Sequence, residues 1–80
     1  MANHKWACPD GFTDRLRQAM HSRAITGEEM ALELNVSPST IYGYLIHKSC
    51  MNIVRLCEIC DILDISADWL LYGKGNMERC

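Results

Sequence analysis

Residues 34–41 read LNVSPSTI, and the reading of this stretch decides the fold. Asn35 breaks helices and tolerates a left-handed backbone. Ser37 is a strong helix N-cap, and Pro38 falls at the first helical position, where its missing N–H costs nothing. The stretch is therefore expected to close one helix, turn within three residues and open another.

Working outward, the same local grammar recurs. A capping residue follows an apolar one, and a second apolar residue lies four positions after the cap, the pattern of a hydrophobic staple. Thr26 is framed by Ile25 and Met30, with Glu29 completing a capping box. Ser37 is framed by Val36 and Ile41, Asn52 by Met51 and Leu56, and Ser66 by Ile65 and Leu70. Further upstream, Asp10 is a candidate cap, and Phe12, Leu16, Ala19 and Met20 share one helical face. These signals predict helices over 11–23, 27–34, 38–46, 53–63 and 67–72.

No stretch alternates convincingly as a strand. In NIVRLCEICDIL, residues Ile53, Leu56, Cys57, Cys60 and Leu63 form a helical stripe, and Ile59 and Ile62 imply burial over most of the circumference. The joints carry residues suited to positive φ: Asn35, His47, Asp64 and Gly73. Ala24 is the poor fit and points to a different exit from the first helix. The expected class is all-α.

At 80 residues the chain makes one domain, and 49% apolar content is enough for a core. It divides into an arm (1–10), a helical domain (11–75) and a tail (76–80). The net charge is −2 and the pI about 5.8. Nucleic-acid binding is compatible with that balance only if the cations gather on one face. No apolar run approaches the roughly 18 residues of a membrane span, and MANHKWACPDG has no secretory h-region. Cys8, Cys50, Cys57, Cys60 and Cys80 are odd in number and irregularly spaced, which favours thiols in a reducing cytoplasm over a disulfide framework.

Cys57-Glu58-Ile59-Cys60 matches C-x-x-C, but both thiols are expected in the core, and His4, His21, His47 and Cys50 supply no ligand pair at a finger-like spacing. A metal site is not expected. Catalysis is not expected either, because no nucleophile–base set, phosphate loop or convergent carboxylate pair stands out. Glu28, Glu29 and Glu33 are read as a solvated acidic stretch favouring a helix N-terminus.

With five helices in place, residues 13–75 resemble the Cro/CI (lambda repressor-like) family of phage repressors and related helix-turn-helix regulators. The resemblance rests on Ala31 at the fifth motif position, Asn35 where members carry a turn glycine, Ile41 in the recognition helix, and Leu34, Val36 and Tyr44 at core positions. The ending SADWLLYGKG, with Asp68-Trp69-Leu70-Leu71, is similar to the close of many such DNA-binding domains.

The resemblance implies a double-stranded DNA-binding repressor that occupies an operator in a bacterial cytoplasm, needs no cofactor, and pairs as a homodimer at least on DNA. The third helix would enter the major groove, with the second crossing the backbone above it. The family's base-reading positions fall on Pro38, Ser39 and Gly43, of which only Ser39 can hydrogen-bond a base edge. Thr40 and Tyr42 are the expected substitutes, Tyr42 pointing outward because Ile41 and Tyr44 take the core side. Gly27 stands where many members carry Gln. Phosphate contacts are expected from Thr26, Ser37, Lys48, Arg15, Arg17 and Arg23, and dimer contacts from Leu71 and Tyr72, with Trp69 packed inside. Two alternatives stay open. The chain is either complete and Cro-like or the N-terminal part of a longer repressor. The fold is either a DNA reader or a protein-interaction module whose partner is a protein, as in an antirepressor or antitoxin.

Overall fold

The computed structural model describes residues 8–46 and 50–79. The described residues form five helices: α1 Phe12–Ser22, α2 Gly27–Leu34, α3 Pro38–Ile46, α4 Ile53–Leu63 and α5 Ala67–Tyr72. Four helices match the expected spans at both ends, and α1 is one residue shorter at each. The expectations for His47, Lys48, Cys80 and residues 1–7 lie outside the described residues. No helix among the described residues is long and apolar enough to cross a membrane.

Three of the joints share one backbone closure. Each is a left-handed residue, an apolar residue and a cap: Ala24-Ile25-Thr26, Asn35-Val36-Ser37 and Asp64-Ile65-Ser66. The φ angles at Ala24, Asn35 and Asp64 are 56°, 59° and 56°. The apolar N–H closes on the carbonyl five residues back, Ile25 to Met20 at 2.9 Å, Val36 to Ala31 at 3.0 Å and Ile65 to Cys60 at 3.0 Å. That is the Schellman closure. The same apolar side chain ends one helix and staples the next, so a single buried residue fixes the angle between two helices. Ala24 thus takes the same exit as the others, contrary to expectation, and its Cβ carries a strain of about 1 kcal/mol.

The caps follow suit. Thr26 and Glu29 form the reciprocal capping box, at 3.1 and 2.9 Å. Asn52 caps α4 through Arg55 N at 2.8 Å, and Ser66 caps α5 through Trp69 N at 3.3 Å. Asp10 does not cap α1. Gly11 holds that position at φ 82° with no side-chain cap bond, a conformation that favours glycine.

The core draws one stripe from each long helix. From α1 come Phe12, Leu16, Ala19 and Met20, as expected. From α4 come Leu56, Ile59, Cys60 and Leu63. These four positions cover about 100° of the helix, the width of a single buried face. The expected stripe was rotated too far: Cys57 is exposed, and Ile53 and Val54 keep 68% and 64% of their surface. α4 is therefore covered on one side only.

Helix α1 binds the others by their ends. Arg15 Nε donates to Leu70 O at 2.9 Å, and its Nη2 to Leu71 O at 2.7 Å. Arg17 Nη2 donates to Leu45 O at 2.8 Å. Arg23 Nε donates to Leu63 O at 2.7 Å, and its Nη2 to Asp64 O at 3.1 Å. The acceptors lie in the last turns or exits of α5, α3 and α4. The final carbonyls of a helix lack intrahelical partners and carry the negative end of its dipole, so a guanidinium there satisfies both.

Beyond α5 the chain folds back. Ser66 N donates to Met77 O at 2.8 Å, Ile65 and Glu78 form an isolated antiparallel bridge, and Arg79 donates to Ile65 O at 2.9 Å and to Asp61 at 2.9 Å. Met77 packs against the core. The segment read as a tail thus lies on the α4–α5 joint.

Candidate nucleic-acid interface

The pair α2–α3 is a helix, the Asn35-Val36-Ser37 turn and a second helix. α3 buries Ile41 and Leu45, and half-buried Tyr44 packs on the core. Thr13 on α1 donates to Tyr44 O at 3.4 Å. With these positions held down, the start of α3 faces solvent: Ser37, Pro38 and Ser39 are exposed and Thr40 is half-buried. Ser37 Oγ lies 3.3 Å from Thr40 Oγ1, and Thr40 N donates to Ser37 O at 3.0 Å. The Thr26 hydroxyl oxygen, at the start of α2, already accepts from Glu29 N, which leaves its own proton to donate outward.

Tyr42 lies off the buried Ile41–Leu45 side of α3, with its hydroxyl at the surface, but it is held by a partner that the sequence reading did not name. It is half-buried, and its hydroxyl donates to Glu28 Oε2 at 2.8 Å. Its ring lies over Gly27, where an added Cβ would stand 3.0 Å from the ring's Cζ and 3.1 Å from the hydroxyl oxygen. The two oddities of the sequence, a glycine opening α2 and a tyrosine in mid-α3, are thus one arrangement. The hydrogen bond to the Glu28 carboxylate, aided by desolvation, holds the Tyr42 phenol above its ordinary pKa, so it stays a donor. The pairing was missed because the two positions lie on different helices. The only sequence signal was the glycine itself, at a site where a side chain is usual.

The cations are placed differently from the candidate interface. Arg15, Arg17 and Arg23 are committed to helix ends, Arg55 pairs with Glu58 at 3.2 Å, and Arg79 pairs with Asp61. The α2–α3 face, among the described residues, offers hydroxyls, the Tyr42 ring, and the carboxylates Glu28 and Glu29. At the opposite end, Leu71 is half-buried and lines an apolar hollow of about 140 Å³, while Tyr72 is 62% exposed and Trp69 is buried. Cys60 is buried, which pushes its thiol up, and Cys57 is exposed. No group of three or more His, Cys, Asp or Glu side chains that could hold a metal ion occurs among the described residues.

Over 67 residues the chain is 37% identical to the HTH-type transcriptional regulator PrtR of Pseudomonas aeruginosa. The aligned stretch is 84% of this chain and 26% of that protein, so the chain spans about a quarter of the length of the curated relative it matches. No protein-family model matches, and no solved structure matches.

Proposed function

We propose that the chain is a sequence-specific double-stranded DNA-binding regulator of transcription, acting as a phage or prophage repressor or as the DNA-binding part of one. The observation that carries this reading is the α2–turn–α3 unit, with its buried Ile41 and Leu45 and its exposed α3 start. Similarity to a helix-turn-helix transcriptional regulator supports it. In this account α3 enters the major groove of an operator. Ser39 and Thr40 meet base edges, and Tyr42 joins them from its seat over Gly27. Thr26 and Ser37 hold phosphates from the starts of α2 and α3, with Lys48 following α3. The arginines of α1 act chiefly by holding helices α3, α4 and α5 in position. Their unused N–H groups are the only part of them left for phosphate.

Short hydroxyl contacts from one subunit give little affinity, so two subunits on a roughly palindromic site are expected, meeting through Leu71 and Tyr72. No cofactor takes part, and the setting is the bacterial cytoplasm.

A second reading has a specific observation behind it. Glu28 lies against Tyr42 on the candidate interface, and the described cations of α1 are turned to carbonyls. Both suit a protein partner, such as an antirepressor, better than a polyanion. Selection from a pool of random duplexes, read by gel shift at two salt concentrations, separates the two. Enrichment of a palindromic sequence is the result expected of the DNA reader, and no enrichment would favour the protein partner. Sedimentation of wild type and Leu71→Glu with the selected duplex then reads the subunit count. Two wild-type chains per duplex and a weakened second binding in the variant are expected.

A further inference from the structure

Two thiols from distant parts of the chain meet on the surface. Cys8 Sγ lies 2.7 Å from Cys50 Sγ, although the two residues are 42 positions apart in sequence. Cys8 precedes α1 and is half-buried, whereas Cys50 precedes α4 and is exposed. Both sit at the rim of the apolar hollow with Phe12, Met51 and Leu71. The other two described cysteines do not share this arrangement. Cys57 is exposed and Cys60 buried on the same helix.

We propose that Cys8 and Cys50 are a modification site, an intramolecular disulfide formed reversibly when a peroxide-class oxidant reaches them. The sulfurs stand 2.7 Å apart, so bond formation brings them less than about 1 Å closer. Burial first, and then the hydrogen bond to Cys50, push the Cys8 thiol up to about 12. Cys8 donates to Cys50, and Cys50 is the more exposed of the two, so Cys50 is the sulfur that the oxidant reaches first.

In the first step Cys50, as thiolate, attacks one peroxide oxygen. The O–O bond breaks, Cys50 becomes a sulfenic acid, and hydroxide leaves and is protonated to water. In the second step Cys8 gives up its proton and its sulfur attacks Cys50. The S–O bond breaks, and the departing hydroxide takes that proton as a second water. Two thiols are oxidised to one disulfide and one peroxide is reduced to two waters. A dithiol reductant reverses the change by thiol–disulfide exchange. The closed ring contains α1, α2 and α3, so the bond clips the segment after the candidate reading helix to the segment before α1.

The test treats reduced protein with stoichiometric hydrogen peroxide and follows thiol titre, peptide mapping and melting. Cys57→Ser/Cys80→Ser, Cys8→Ser and Cys50→Ser are run beside wild type. Wild type and Cys57→Ser/Cys80→Ser should lose two thiols, remain single chains, and yield a Cys8–Cys50 cross-linked peptide. Their melting midpoint should rise by on the order of 10 °C and fall again with dithiothreitol. Cys8→Ser should instead stop at a Cys50 sulfenic acid that a 1,3-diketone traps, and Cys50→Ser should form no cross-link. A first product linking other cysteines or two chains would overturn the proposal. So would over-oxidation without a cross-link, or a cross-linked chain with an unchanged midpoint.

Discussion

Helix α1 and the α2–α3 face use polar side chains in opposite ways. On α1 and at its C-cap three arginines turn back and end on the carbonyls of other helices. The α2–α3 face sends out short hydroxyls from Ser37, Ser39 and Thr40, with one aromatic ring held at its edge. A cation is the natural partner of a phosphate, yet here the described cations of α1 serve as scaffold, and the polar groups that face outward on α2–α3 are hydroxyls and the carboxylates Glu28 and Glu29. The difference teaches that charge content alone does not locate an interface. What counts is which charges the fold leaves unspent.

The largest expected effect tests the scaffold side of that contrast. Arg15→Ala removes two bonds to the end of α5 and one, at 3.0 Å, to Asp10 O. Hydrogen bonds from charged groups contribute about 1.5–3 kcal/mol each and do not add fully, so the variant should lose about 2–4 kcal/mol in urea unfolding. Arg17→Ala, with a single bond to Leu45 O, should lose less, about 1.5–2 kcal/mol. An Arg15→Ala protein of unchanged stability but weakened DNA affinity would break the comparison and return α1 to the phosphate-binding side.

A smaller effect sharpens the other side. Gly27→Ala should cost about 1–2 kcal/mol, since the new methyl meets the Tyr42 ring. In a Tyr42→Ala background the same change should be neutral or slightly stabilising, because alanine suits a helix better than glycine. Equal costs in the two backgrounds, measured as a double-mutant cycle by chemical denaturation, would mean that the ring does not rest there.

Smaller still are the joints. Asn35→Ala removes the short polar side chain that makes φ 59° tolerable and should cost about 1 kcal/mol, while Asn35→Gly should be neutral or stabilising. Ala24→Gly runs the experiment in reverse and should stabilise by about 0.5–1 kcal/mol. Thermal melts of the three variants check the order Asn35→Ala below wild type below Ala24→Gly.

The joints also mark what the sequence makes legible. A cap, an apolar staple and a left-handed residue are local signals, so Thr26, Ser37, Asn52 and Ser66 located four of the five helix starts. Trp69 inside and Ser39 outside follow from helical period once those starts are known. What escaped depended on partners far along the chain. The arginines of α1 are long enough to lie on a solvent face or to reach a carbonyl 28 to 56 positions away, and no local pattern distinguishes these. Tyr42 escaped because its seat is made by the absence of a side chain at Gly27. Cys57 was misplaced by counting a C-x-x-C pair as one face, when the buried stripe of α4 includes Cys60 and stops short of Cys57. Met77 and Arg79 carry no signal for packing until Ile65 is known to expose a carbonyl to them.

The central claim is that the α2–α3 face discriminates between DNA sequences through neutral short side chains. It is tested most directly by titrating a selected duplex and a scrambled one with wild type and Ser39→Ala across a range of salt. Wild type should prefer the selected duplex by about a thousandfold or more. Ser39→Ala should reduce that preference by about tenfold, the scale of one lost base contact, while scrambled-duplex binding and the salt slope stay as they were. Equal affinity of wild type for the two duplexes, or a Ser39→Ala variant that loses binding to both alike and changes the slope, would contradict the account.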